Sequence, residues 1–209
     1  MVIQRSDSIV FNKKIKGYIG SYRLSDWWLT ILSEEERVLI VNLYKPLGFP
    51  PSTLTEYDIT KPNQSVTMFL INLSGWLSVK KHRKLIEKIL DKAQEETIKT
   101  NDIYELHCLY GCLINFYYKD RANPESFEQA VLACRKQIAI STEVVKQHKE
   151  RYRSWPLGTH NGYEQLAIIL EKQKDYSGAI AICYKAIEDG WAGDWEKRIS
   201  RCKIKEEKK

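Results

Sequence analysis

His107, Cys108 and Cys112 form the densest set of ligating and nucleophilic side chains in the sequence. Residues four apart share a helix face, so one helix would carry all three possible ligands, and zinc would need a fourth donor from elsewhere. Cysteines in an apolar helix also serve as small residues that fill tight contacts, and no metal is expected here. A Cys/His nucleophile needs spatial proximity, which the scattered His82, His107, His148 and His160 do not establish. The chain lacks a GxGxxG, a GxxxxGK[ST], an HExxH, a GxSxG and a CxxC pair. The expectation is a non-catalytic protein with no catalytic residues, no metal and no cofactor.

Two basic clusters offer a different chemistry. Lys80, Lys81, Arg83 and Lys84 flank His82, and Lys149, Arg151 and Arg153 are interleaved with Tyr152 and Trp155. Cations beside aromatic rings suit phosphates and stacked bases, so a nucleotide, another small anion or single-stranded nucleic acid is the alternative ligand class. Residues 61–99 hold 8 Lys and Arg against 4 Asp and Glu, which accounts for most of the net charge of +6. The structural reading of the same residues is a solvated helix face and a helix end whose cations favour the negative pole. An isoelectric point near 8.9 and the absence of a groove-reading motif argue against a dedicated nucleic-acid binder.

These residues must be positioned by helices. The 209 residues are 43% apolar and 29% charged, with only 10 Gly and 6 Pro, and apolar residues recur at i, i+3, i+4 and i+7. Ser33-Glu34-Glu35-Glu36 matches a capping box and predicts a helix over 34–44, ended by Lys45-Pro46. A shorter helix is expected over 25–29, and a hairpin around 17–20 within 9–22. After Pro62 the pattern changes to paired helices near 64–77, 80–97, 102–119, 125–150, 160–173, 176–189 and 194–203. Two domains follow: an aromatic-rich, mainly helical cap region over 1–62 and a helical repeat domain over 63–209. Hairpins that cannot bury both apolar faces internally must stack, which is the logic of an α-solenoid.

The stretch 160–193 resembles a tetratricopeptide repeat. Tyr163 takes the large aromatic position, Leu166 the buried leucine, Ala167 the small residue of the first helix, and Tyr176 the inter-helix aromatic. Ala179 and Ala186 match the small residues of the second helix, while Lys174 replaces the usual glycine and Trp191 the usual proline. Degenerate copies are drawn upstream, one through His107, Tyr110, Gly111, Phe127, Ala130 and Cys134 with an insertion at 118–124. The helix after Asp194, an expected N-cap, would close the stack.

The resemblance implies an all-α, TPR-like solenoid that presents first-helix residues to a protein or peptide. Those positions are Glu105, Cys108, Cys112, Asn115 and Phe116 in one repeat, and Asn161, Glu164, Ile168, Glu171 and Lys172 in the next. They lack the Lys and Asn set that clamps a terminal carboxylate, and suit an amphipathic helix or an extended peptide. The N-terminal region is expected to cover the open end of the first repeat. Five cysteines without framework spacing and no apolar spanning run predict a cytoplasmic protein with no membrane role, monomeric or homodimeric.

Overall fold

The computed structural model describes residues 15–152 and 156–208. The chain divides into two compact units, Met1–Ser65 and Val66–Lys209. Helices build both, and no strand occurs among the described residues beyond one isolated bridge between Thr159 and Ala192.

The first unit contains α1 (Gly17–Ser21), α2 (Ser25–Thr30), α3 (Glu34–Leu43) and a 3-10 helix, Pro51–Leu54. The expected hairpin over 9–22 lies partly outside the described residues, and its described end is the α1 turn instead. A Schellman turn terminates α1: Arg23 is left-handed at φ 57°, Arg23 N–H donates to Gly20 and Leu24 N–H to Ile19. The capping box forms as the residue types dictate. Ser33 Oγ accepts from Glu36 N–H at 3.2 Å, and the Glu36 carboxylate accepts from Ser33 N–H at 2.8 Å. Ile19, Leu24, Trp28, Leu32, Ile40 and Leu54 are buried as the core of this unit.

The second unit contains α4 (Val66–Ser74), α5 (Arg83–Thr100), α6 (Ile103–Tyr118), α7 (Pro124–Ala139), α8 (Ser141–Arg151), α9 (Asn161–Lys172), α10 (Tyr176–Asp189) and α11 (Trp195–Glu206). α4 packs on α5, α6 on α7, α9 on α10 and α10 on α11, while α9 also touches both α6 and α7. Short connections make these pairs antiparallel, and the contacts of α9 stack one pair upon the next. Polar side chains start the helices: Asp102 accepts from the Tyr104 and Glu105 amides, Asn123 from Ser126, and Asp175 from Gly178. Asp194 occupies the N-cap of α11 without capping it, because its carboxylate turns to Lys197 Nζ at 3.3 Å.

The single helix expected over 125–150 is two. Ile140 (φ −96°, ψ 0°) breaks it, and Ser141 at the break is fully buried, its hydroxyl donating to Asp189 at 2.6 Å. Apolar spacing runs through the break, which is why periodicity alone joins the halves. α8 packs on α6, α7 and α10, and Val144 and Val145 join a core with Tyr163, Ala167, Cys183, Ala186, Trp191, Trp195 and Ile199. Ala167, Ala179 and Ala186 are fully buried, which leaves room for their helices to approach. No helix among the described residues is long and apolar enough to cross a membrane.

Candidate functional site

The second unit is organised around a buried polar centre. Tyr163, fully buried, donates its hydroxyl to Asp189 at 2.5 Å, and Trp191 Nε1–H donates to Ser141 Oγ at 2.7 Å. Gln137 bridges three helices: its amide nitrogen donates to the His107 carbonyl at 2.8 Å and its oxygen accepts from Gly162 N–H at 2.6 Å. His160 caps α9 by accepting from Tyr163 N–H at Nδ1, which places its proton on Nε2. That Nε2 and the His107 Nδ1 are buried with no hydrogen-bond partner within 3.5 Å among the described residues. Burial pushes His107 down to about 4 and His160 to about 3, so both rings are neutral at pH 7. Trp191 is the wall against which both rings pack.

The expected first-helix surface is not one groove. On α6, Glu105 accepts from Thr100 at 3.3 Å, and Cys112 Sγ lies 3.7 Å from Ser74 Oγ on α4. Cys108 is half-buried, and burial followed by the Glu105 and Asp102 charges pushes its thiol up to about 11, leaving no thiolate at neutral pH. Asn115 is exposed. Phe116 is a correction to the groove assignment: it is 3% exposed, with the Arg83 guanidinium 4.3 Å over its ring, because α5 covers that side of α6. Among the described residues no three His, Cys, Asp or Glu side chains are placed to hold a metal.

The α9 positions divide between two neighbours. Asn161 Nδ2 donates to the Gly111 carbonyl at 3.3 Å and Lys172 Nζ meets the Tyr118 hydroxyl at 3.2 Å, so this side faces α6. Ile168, seven residues from Asn161, shares that side and is half-buried. Glu164 and Glu171 turn toward α11 instead. Glu164 lines a recess with Thr159, Asp194 and Arg198. Glu171 accepts from Arg198, Arg201 and Lys205, each at 2.8 Å, and the Arg201 guanidinium, helped by the Lys205 ammonium, holds its carboxyl down at about 2. Glu171 as a partner-binding residue is therefore a second correction: with a side chain only 12% exposed, it fastens α11 to α9.

The two basic clusters do not converge. Arg83 is spent inside the fold, on Asp120 at 3.4 Å and Ser126 at 3.0 Å, near the C-terminal end of α6. Arg151 pairs with Asp102 at 3.3 Å, at the opposite end of the same 16-residue helix, roughly 24 Å away at 1.5 Å per residue. Lys80, Lys81, Lys84 and Lys149 are exposed. Arg153 and Trp155 lie outside the described residues. Arg83 and Arg151 thus stand at opposite ends of α6.

A surface not anticipated from the sequence does converge. Phe127, Val131, Leu132, Leu166, Ile169 and Leu170 line a depression of about 340 Å³, with Glu128, Arg135 and Gln173 at its edges. A second of about 500 Å³, lined by Ile138, Ala139, Ala181, Ile182 and Gly178, shares Arg135, Leu166 and Leu170 with the first. Together they make one apolar groove along α7, α9 and α10. The signal was present in α7: Ala130, Ala133, Cys134 and Gln137 face the core, and Phe127, Val131 and Ile138 form a second apolar stripe that one buried face does not require. No protein-family model, curated protein or solved structure matches this chain.

Proposed function

We propose that the unit 66–209 is a non-catalytic, tetratricopeptide-like module that binds a partner protein through an amphipathic helix or similar apolar segment. The observation that supports this reading is the groove along α7, α9 and α10, where apolar side chains remain open to solvent after the core is filled, Leu132 at 43% exposure among them. A groove of this kind, walled by helices and edged by Glu128 and Arg135, accepts the apolar face of a helix while its charged rim sets register. Stacked helical pairs, with α9 against both α6 and α7, and fully buried Ala167, Ala179 and Ala186 are the packing that a tetratricopeptide-like unit requires.

Panning a helical peptide library on the purified protein tests the reading. Enriched peptides should carry apolar residues at i, i+4 and i+7, and Leu132→Glu should weaken them by about tenfold or more. Leu132 is partly exposed, so its replacement leaves the core intact. Failure to enrich any such pattern, or binding indifferent to Leu132→Glu, defeats it.

A further inference from the structure

The first unit has a recess of its own, made only of its own residues. Tyr18, Phe49, Pro50, Thr53, Tyr57 and Pro62 are among its walls, which enclose about 570 Å³. Its frame is held by bonds that join the start of α1 to 55–58. Gly17, left-handed at φ 62°, lies so close to the Leu54 backbone that a side chain there would collide with it. Gly17 N–H donates to the Tyr57 carbonyl at 2.6 Å, Lys16 N–H to Thr55 at 2.9 Å, and Lys16 Nζ meets Asp58 at 2.8 Å.

Two independent features mark this recess as a site. Phe49 and Tyr57, both lining it, are 49% and 56% exposed. Thr53, another lining residue, is 4% exposed, and its buried hydroxyl has no partner among the described residues. A buried hydroxyl left unpaired costs about 1–3 kcal/mol, which an acceptor supplied by a ligand would recover.

The chemistry of the lining selects the ligand. Its charged side chains are one acid and one base, Asp58 and Lys61, with Asp58 already engaged by Lys16, so no excess of cations waits for a phosphate. Open aromatic faces beside a hydroxyl donor match a polyproline II chain. Its pyrrolidine rings pack flat against aromatic rings, and its backbone makes no internal hydrogen bonds, so its carbonyls are free to accept.

We propose that this recess binds an extended, proline-containing peptide, gripped by Tyr18, Phe49 and Tyr57, with the Thr53 hydroxyl donating to a peptide carbonyl. This site is independent of the α7–α9–α10 groove, and either can fail alone.

Titration of the full-length protein with a capped proline decamer, followed by amide chemical shifts and calorimetry, tests the proposal. Saturable binding is expected, with shifts clustered at Tyr18 and over 48–63, and with no response to a glycine-serine decamer. Phe49→Ala and Tyr57→Ala should each weaken it by about tenfold, and Thr53→Val by about three- to tenfold, with Thr53→Ser retaining most of the affinity. Phe49 and Tyr57 are half-exposed, so circular dichroism should show both variants folded. The proposal is overturned if the decamer fails to saturate in the millimolar range, if its shifts fall elsewhere, or if the ring variants titrate like wild type. Weakening by Phe49→Ala and Tyr57→Ala with no effect of Thr53→Val would remove the hydroxyl from the recognition and overturn that part.

Discussion

His107 lies flat against Trp191, their ring centroids 5.3 Å apart and their planes 7° from parallel. His160 meets both rings edge-on, at 4.9 Å from His107 and 4.7 Å from Trp191. The three side chains come from α6, from the cap of α9 and from the second residue after the α10 terminus, so this stack ties three elements of the second unit together. Neutral imidazoles are part of that tie, and protonation works against it.

The sign of the pH effect follows. Both folded-state pKa values, about 4 for His107 and about 3 for His160, lie below the ordinary 6.5, so the unfolded chain binds protons first as pH falls. Stability from this source is complete above pH 6.5 and declines below it, by roughly 1.4 kcal/mol per pH unit for each histidine until the folded pKa is reached. His107→Phe keeps an aromatic ring on Trp191 and removes one titration. Its denaturation free energy, measured between about pH 7 and 4.5, should fall less steeply than that of wild type by about one proton's worth. Parallel slopes would show that His107 carries no such penalty.

Glu171 is the fastening point of α11, with three cations of that helix on one carboxylate. Glu171→Gln should destabilise the second unit by about 1–3 kcal/mol, the range for hydrogen bonds to charged groups. Hydrogen exchange should rise across 195–206 before it rises in α9. Because the folded carboxyl is held at about 2, the contribution of Glu171 is present above its ordinary 4.5 and is lost as pH falls toward 2. Unchanged exchange in α11 would mean that apolar contacts of Trp195, Ile199 and Cys202 hold the helix alone.

Lys174, between α9 and α10, has a left-handed backbone at φ 64°. It closes a Schellman turn, its N–H donating to Glu171 and that of Asp175 to Leu170. A side chain in this region costs about 1–2 kcal/mol, while glycine gives back some of that through a freer unfolded chain. Lys174→Gly should therefore raise stability by about 0.5–1 kcal/mol, seen as a higher melting temperature with unchanged circular dichroism. A lower melting temperature would count against this assignment of strain.

Gly162 sits where α9 crosses α7. A Cβ there would lie 2.9 Å from the Cys134 carbonyl oxygen and 2.9 Å from Gln137 Oε1. Gly162→Ala must push the helices apart or break the Gln137 bridge, at about 1–3 kcal/mol. Chemical denaturation should register that loss, and Gly158→Ala, where a Cβ meets nothing within 4 Å, is the control.

Much of the architecture was legible from local rules. Ser33 and Glu36 closed their capping box because both partners lie within four residues of each other. The helices after residue 62 appeared within a few residues of their expected spans, since one buried face imposes its period on the sequence. The break at Ile140 escaped that reading, because Ser141 is paid for by Asp189, 48 residues away.

The site residues divide along the same line. Sequence alone determined that this chain is helical, where most helices begin, and which small residues allow close packing, all consequences of backbone hydrogen bonding and side-chain size within a few turns. Which face each helix shows to solvent was decided by its neighbours. Phe116 is covered by Arg83, Glu171 is captured by α11, and the clusters holding Arg83 and Arg151 are set apart by the length of α6, while Leu132 is left exposed and Phe127, Val131 and Leu170 half-buried beside it. Exposure is a property of what packs against a side chain, and those partners lie tens of residues away along the chain, so only the tertiary structure assigns it.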